Sequence, residues 1–218
     1  MPNNLSKIDR RRRSLLILEC DTCTLVSQNL AMGDFVERTA GTFFPQNPIK
    51  LIKIDKEQDL LDAFAEAIRS KEKYKNIFII GHSNKNGIKL ALNRFVDWNG
   101  LAQWLAPFEP KQITFLACQA ANMSSCGKLF EGINSLNEIF GSPINVDTKQ
   151  AIIALFNSLM ALENGKADSS SLNMAQFANF VLTKKVTFHF TRKTYEKYGE
   201  GEMEMWNFIE SSLHKIIS

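Results

Sequence analysis

The hydrophobic pattern of the chain contains two short, uninterrupted apolar segments, 76–81 and 112–117, each bounded by polar or turn residues. Continuous runs rich in Ile and Phe are typical of strands buried on both faces of a parallel sheet. Between them a helical spacing starts at Trp98, after a capping Asp97, and ends at Pro107. The order strand, crossover helix, strand predicts two parallel central strands of one sheet.

The rest of the pattern predicts strands and helices that alternate before and after this unit. Strands are expected at 15–19, 49–54, 144–146 and 186–190, and helices at 24–38, 57–71, 127–136, 148–164, 172–182 and 203–217. The helix 57–71 is expected to bury one face formed by Leu60, Leu61, Phe64, Ala67 and Ile68. His189 lies in an alternating strand and is expected to face solvent. This order predicts an α/β fold with a mainly parallel sheet and helices on both sides.

Each central segment ends on a reactive side chain, His82 after the first and Cys118 after the second. Parallel strands bring both to the carboxyl edge of the sheet, where open α/β folds build their sites, and neighbouring strands lie about 4.8 Å apart. A cysteine attacks as a thiolate, which an imidazole stabilises before it protonates a leaving amine. Either residue alone is usually structural, but the pair predicts a nucleophilic site. A helix over 124–133 would favour the thiolate further.

Three stretches around this pair carry a resemblance to a known family. They are 78–83 (FIIGHS), 86–90 (NGIKL) and 115–121 (FLACQAA). They resemble the His strand, hairpin and Ala-Cys strand of caspase-like cysteine peptidases of clan CD, closest to the CHAT branch. With the segment 143–165, similar to the strand and long helix that follow in that group, the resemblance covers about residues 15–182. It implies a three-layer α/β/α sandwich and a cysteine endopeptidase that cleaves a protein.

The resemblance also implies roles for individual residues. Cys118 would be the nucleophile, His82 the general acid and base, and the backbone amides of Cys118 and Ser83 would bind the oxyanion. The family usually has Gly at the position of Ser83, and a side chain there restricts the backbone and crowds the oxyanion hole. Gln119 would orient the substrate backbone or, alternatively, only start the next turn.

Two acidic residues are candidates for substrate selection, because in this fold the pocket lies at the carboxyl ends of the strands. Asp21 follows the first strand and would face a Lys or Arg of the substrate. The alternative is that Asp21 caps a helix through an amide near Thr24. Asp147 is a second candidate with the same alternative. No Arg adjoins either motif, so a preference for Asp is not predicted.

Composition limits the remaining possibilities. With 218 residues, 44% of them hydrophobic, we expect a flexible basic arm at 1–13 and a single domain at 14–218. The net charge of +3 owes much to Arg10–Arg13, which predicts no broad nucleic-acid surface. The polar N-terminus and the absence of a long apolar run predict a cytoplasmic protein without membrane contact. Cys20 and Cys23 form one C-x-x-C, which predicts neither a metal nor a cofactor.

Two other functions stay open at this point. The first is a catalytically silent caspase-like scaffold or binding module, which Ser83 in place of Gly favours. The second is a serine hydrolase with Ser83 on a nucleophile elbow, although Lys85 occupies the position that an elbow gives to Gly. By resemblance, an active protease of this kind would work in a bacterial defence or cell-death system, cutting a partner such as a gasdermin-like pore former after activation by another protein.

Overall fold

The computed structural model describes residues 14–20, 24–25, 30–45, 47–70, 74–91, 94–141 and 188–192. Its strands, in chain order, are β1 (Leu15–Cys20), β2 (Thr24–Leu25), β3 (Leu30–Ala31), β4 (Ile49–Ile54), β5 (Asn76–Ile80), β6 (His82–Asn84), β7 (Gly87–Ala91), β8 (Arg94–Asp97), β9 (Gln112–Leu116), β10 (Glu138–Gly141) and β11 (Phe188–Thr191). Its helices are α1 (Met32–Phe43), α2 (Glu57–Ser70), α3 (Trp98–Leu105) and α4 (Met123–Gly132).

The central sheet has the strand order β11-β10-β9-β5-β1-β4. Five of these strands are parallel, and β11 runs antiparallel to β10 at one edge. Helix α1 packs on one face of the sheet, while α2, α3 and α4 contribute to the core on the other face. The predicted α/β/α layering with a mainly parallel sheet is therefore confirmed.

The order of the strands reverses between β1 and β5. From β1 the chain passes to β4 at one edge, and it then returns to β5 on the opposite side of β1 before continuing outward to β9 and β10. A crevice forms where consecutive connections diverge in this way, and ligands of open α/β sheets bind there at the carboxyl ends of the strands. The topology thus places the ends of β1, β5 and β9 around the expected site.

The first helix begins at Met32, so the predicted helix 24–38 is wrong at its start. The segments Thr24–Leu25 and Leu30–Ala31 pair instead as an antiparallel hairpin. No local side chain caps α1. The amide of Gly33 donates to Oε1 of Glu19 in β1, at 2.9 Å, so a carboxylate distant in sequence closes the helix N-terminus.

Glu19 is buried, with 3% of its surface exposed. Burial raises the pKa of its carboxyl, and the hydrogen bond from Gly33 and the nearby charge of Lys53 oppose this rise only partly. A Cβ on Gly33 would lie 2.6 Å from Oε2 of Glu19. A side chain at position 33 would therefore displace the Glu19 carboxylate that closes the helix N-terminus.

Several other predictions can be compared with the described residues. The strand at 49–54 is confirmed, and helix 57–71 is observed as Glu57–Ser70. Leu61 is 45% exposed and does not join Leu60 and Phe64 on the buried face of that helix. After α4 the strand is Glu138–Gly141, a segment that the prediction of a strand at 144–146 missed.

The other predicted segments lie outside the described residues. They are the arm 1–13, the strand 144–146 and the helices 148–164, 172–182 and 203–217. The strand predicted at 186–190 is observed as Phe188–Thr191, whereas the direction of the His189 side chain is not described.

Arg192, directly after β11, connects this strand to the end of α4. Its Nε donates to the carbonyl of Leu136, and one terminal nitrogen donates to the carbonyls of Phe130 and Ile133. The guanidinium also lies 5.4 Å from the centre of the Phe130 ring. A cation at the carboxyl end of a helix is favourable, so this contact stabilises the edge of the sheet next to β10.

We expect Glu19→Gln and Glu19→Ala to separate the charge of this side chain from its hydrogen bond. The pKa of Glu19 is raised in the folded state above its ordinary value of 4.5. The folded protein therefore holds this proton more tightly, and stability falls as pH rises from about 4.5 through the folded pKa. Gln keeps an acceptor for Gly33 without a charge, so the free energy of unfolding of Glu19→Gln should match or exceed that of the wild type near pH 7.

Glu19→Ala leaves the Gly33 amide without this acceptor and should lower the free energy of unfolding by about 1–3 kcal/mol. Urea unfolding at about pH 5 and about pH 8 measures both effects. A Glu19→Gln protein that loses stability between these pH values as the wild type does would show that Glu19 is not the titrating group.

Candidate active site

His82 and Cys118 occupy matching positions beyond two adjacent parallel strands. Ile80 of β5 is paired with Leu116 of β9, so His82 and Cys118 each lie two residues past the last pair. His82 is exposed and Cys118 is half-buried. The structure thus brings the two segments together at the carboxyl edge of the sheet, as the sequence predicts.

The histidine lies at the start of a small antiparallel sheet formed by β6, β7 and β8. The loop of this hairpin is fixed by Trp98, whose indole Nε1 donates to the carbonyl of Lys85 at 3.0 Å. Trp98 is fully buried, and its ring meets that of Phe115 edge to face with centroids 5.6 Å apart. Because Phe115 belongs to β9, the indole fixes the hairpin against the strand that precedes Cys118.

Asp97 begins the helix that carries this indole. Its side chain accepts from the amide of Gly100 at 2.7 Å, which confirms the predicted helix cap. Pro107 lies in a short 3-10 turn, Ala106–Phe108, directly after α3, as the predicted helix end requires. The start of the helix that carries this indole is therefore set by a local capping signal.

Gly81 separates β5 from the histidine and lies against the end of β1. A Cβ at this position would lie 2.5 Å from the backbone oxygen of Cys20 and 3.1 Å from the Cys20 Cβ. The oxygen belongs to the main chain of a buried strand, so it cannot move away as a flexible side chain would. The glycine therefore permits the close approach of β1 to the segment that holds His82.

The cysteine lies in the turn 117–122, which we call the nucleophile turn. Gln119 has a positive φ of 53°, a backbone conformation that non-glycine residues adopt rarely. The turn leads into α4, where Asn122 and Ser125 form a reciprocal capping box. The hydroxyl of Ser83, in β6, donates to the carbonyl of Cys118. A hydrogen bond therefore joins the nucleophile turn directly to the β6–β7 hairpin that begins at His82, which we call the histidine hairpin.

The two cysteines around this helix differ in their surroundings. Cys126 lies within α4, is 1% exposed, and has a pKa that burial raises strongly. Its thiol is therefore neutral at ordinary pH and is inaccessible. Cys118 is half-buried at the edge of the sheet, and the turn that carries it leads into a helix N-terminus, which favours an anion. Of these two residues, only Cys118 is placed to react.

Not every residue singled out from the sequence is described. Asp21, Cys23 and Asp147 lie outside the described residues. The helix that Asp21 was alternatively expected to cap does not start at Thr24, because Thr24 lies in β2. Among the residues that the structure describes, no group of three or more His, Cys, Asp or Glu side chains could hold a metal ion.

Ser83 does not lie on a nucleophile elbow. An elbow requires a sharp turn between a strand and a helix. Ser83 is the middle residue of β6, and the chain continues into β7 after the two-residue loop 85–86. Its hydroxyl, moreover, binds the carbonyl of Cys118. The prediction of a serine hydrolase that uses Ser83 is therefore not supported by the local fold.

Some residues that build the site were missed from the sequence. Ser125 follows Asn122 by three positions, a spacing typical of a capped helix start, yet the main prediction began that helix at 127. Glu19 is the acidic residue of an otherwise apolar strand, which signals a buried charge with a specific partner. The indole contact of Trp98 has no local signal, because Lys85 and Phe115 lie far from it in the chain.

Two further findings concern membrane-spanning helices and the similarity of the chain to known proteins. No helix in the described part of the chain combines the length and hydrophobicity that a membrane span requires. No protein-family model and no curated protein matches the chain.

Solved structures do match. One is a secreted C11 cysteine protease from Bacteroides thetaiotaomicron in complex with an irreversible peptide inhibitor, with a TM-score of 0.52 and 12% identity. The match covers 78% of this chain but spans only 59% of that protease. Another is a flavone reductase, with a TM-score of 0.38, 7% identity, and coverage of 79% of this chain and 65% of the other. The likeness to the protease shows the fold alone, an α/β fold of the caspase-like type, and does not single out the CHAT branch.

We expect Gly81→Ala to destabilise the protein by about 1–3 kcal/mol, because its Cβ would overlap the main chain of β1. Gly41→Ala is the matched control, since a Cβ at Gly41 meets nothing within 4 Å and α1 should gain about 0.5–1 kcal/mol from it. Thermal and urea unfolding of both variants measure the difference. Equal stability of the two variants would contradict the close approach of β1 to Gly81.

Proposed function

We propose that this chain is a cysteine endopeptidase in which Cys118 is the nucleophile and His82 is the general acid and base. The observation that carries the proposal is the pairing of β5 with β9, which gives the two residues matching positions beyond adjacent parallel strands. The fold likeness to a C11 cysteine protease supports the same reading. A protein substrate reaches the exposed carboxyl edge, where His82 faces solvent.

The reaction follows from the chemistry of the pair. The Cys118 thiolate attacks the carbonyl carbon of the scissile peptide, and the imidazolium of His82 protonates the leaving amine. A water molecule, deprotonated by the neutral His82, then attacks the thioester and releases the acid product, while the thiolate is restored. The helix N-terminus that follows the nucleophile turn stabilises the thiolate between cycles.

The backbone amides of Cys118 and Ser83 are proposed to bind the oxyanion. The hairpin has a two-residue loop, 85–86, between the paired residues Asn84 and Gly87. In a hairpin with a loop of this length, the two residues that flank the loop exchange backbone hydrogen bonds. The next pair, Ser83 and Ile88, is then of the non-hydrogen-bonded kind, so the Ser83 amide points away from β7. This direction is compatible with an oxyanion donor, and the serine side chain does not remove it.

The finer parts of the proposal concern the substrate. Asp21 and Asp147 are proposed to select a basic residue before the scissile bond, and Gln119 to orient the substrate backbone. Gln119 is half-buried and comes directly after the proposed nucleophile in the chain. We further propose membership of the CHAT branch and action in the cytoplasm on a gasdermin-like pore former within a defence system, after activation by a partner protein. A silent scaffold is the second candidate, favoured by Ser83 at the family's glycine position.

We expect Cys118→Ala and His82→Ala to abolish cleavage of a peptide library by the full chain, by a factor on the order of 10³ or more. Mass spectrometry of new peptide termini measures the cleavage and reports the residue before each cut. Cys126→Ala is the matched control, because it removes a buried thiol of α4 that takes no part in the proposed reaction, so it should retain activity. Cleavage that persists in Cys118→Ala would refute the proposal.

The reactivity of the thiols distinguishes an enzyme from a silent scaffold. We expect iodoacetamide to alkylate Cys118 of the folded protein faster than an ordinary exposed thiol, and to leave Cys126 unmodified because burial raises its pKa. Peptide mapping after a short labelling time measures both sites. A Cys118 that reacts only as fast as an ordinary exposed thiol, in a protein that cleaves no peptide, would favour the scaffold.

A further inference from the structure

Three successive carbonyls of the nucleophile turn each accept a hydrogen bond from a side chain. The carbonyl of Cys118 accepts from the hydroxyl of Ser83. The carbonyl of Gln119 accepts from Nδ2 of Asn122 at 2.9 Å, and that of Ala120 accepts from the hydroxyl of Ser125 at 2.6 Å. Side-chain hydrogen bonds therefore hold the main-chain carbonyl of every residue from 118 to 120.

Two of these bonds belong to the start of α4. A hydroxyl has one proton, and the Ser125 oxygen lies closer to Ala120 O than to Asn122 O, at 2.6 Å against 2.9 Å. The Asn122 carbonyl is satisfied separately by the amide of Cys126. Asn122 and Ser125 thus fix the second half of the turn as part of helix capping, and their loss would affect α4 as well.

The bond from Ser83 is different, because it comes from another strand. Ser83 is 35 residues distant from Cys118 and half-buried in β6, directly after His82. It holds the peptide unit between Cys118 and Gln119, whose carbonyl and following amide point in opposite directions in a trans peptide. The bond therefore fixes the plane of this peptide relative to the histidine hairpin.

The need for such a bond follows from the backbone of Gln119. A non-glycine residue at φ 53° is energetically unfavourable and persists only where its surroundings hold it. The Asn122 and Ser125 side chains hold the turn on one side of Gln119. Ser83 holds it on the other side, at the residue that carries the thiol.

We infer that the Ser83 hydroxyl is a positioning group, which holds the Cys118 main chain at the distance and angle from His82 that the reaction requires. The inference rests on the proposed function, since it assigns a role within the same site. It also gives Ser83 a task that a glycine at this position could not perform. The hydroxyl acts through the main chain of Cys118, in addition to the proposed role of the Ser83 amide.

The test compares Ser83→Ala, Ser83→Thr and Ser135→Ala in the full chain. Ser83→Ala removes the hydroxyl and keeps the backbone amide, whereas Ser83→Thr restores a hydroxyl. Ser135 is the matched control, because it is a half-buried serine that donates to the carbonyl of Pro110 at 2.8 Å, away from the site. Both alanine variants lose one bond of the same kind, so a purely structural role predicts similar behaviour.

We expect Ser83→Ala to lower kcat about tenfold while KM stays within about twofold, since small displacements of reacting groups lower rates steeply. Ser83→Thr should recover most of kcat, and Ser135→Ala should match the wild type. Amide hydrogen exchange over 117–122 should be faster in Ser83→Ala than in Ser135→Ala. A Ser83→Ala protein with the kcat and exchange of Ser135→Ala would overturn the inference.

Failure of the proposed function has a different signature. If the wild-type chain cleaves nothing, the same three variants are compared by the rate at which iodoacetamide alkylates Cys118. A rate at least about threefold lower in Ser83→Ala, restored in Ser83→Thr and unchanged in Ser135→Ala, would support positioning of the thiol even without peptidase activity. Equal alkylation rates in all variants would overturn it.

Discussion

The register between β5 and β9 is the constraint on which the site depends. Both strands are buried on both faces, so the alternation of apolar and polar residues alone does not select one pairing. Polar contacts at the opposite edge help to select it. The amides of Lys111 and Gln112 both donate to the carbonyl of Lys75, directly before β5. Hydrogen bonds at the amino end of the sheet thus help to set which residues meet at its carboxyl end.

The carboxyl edge concentrates features that stability alone would not favour. A buried carboxylate at Glu19, a positive φ at Gln119 and a main-chain approach at Gly81 all lie close to it. Functional sites commonly retain such costs while the surrounding core offsets them. Here the core on one face includes the indole of Trp98, which is fully buried against Phe115. The rigid part of the fold lies directly beneath the residues with unfavourable geometry.

The fold and the site make separate contributions to the functional argument. The likeness to a C11 protease shows an architecture that many functions share, so it cannot by itself assign an activity. The proposed chemistry rests on Cys118 and His82 and on the elements that hold them. Ser83, which departs from the family pattern, is the residue that bonds these elements together. Serine at position 83 weakens the resemblance to the family, but it is compatible with an ordered site.

The sequence by itself determined the elements whose signals are local. The strands around Ile80 and Leu116 and the helix capped by Asp97 were predicted to within a residue, because a buried run or a cap is encoded in neighbouring positions. The same signals located His82 and Cys118 at the ends of their strands.

Only the tertiary structure decided the features that depend on residues distant in the chain. Helix α1 begins at Met32, where Glu19 of β1 binds its amide, and not at 24 where the spacing starts. Leu61 has helical spacing and still faces solvent, because the neighbouring elements cover only part of α2. The bond between Ser83 and Cys118 has no local signal at all, since the fold of the two segments onto one edge creates it. Periodicity records which residues can be buried, whereas their partners are set by packing.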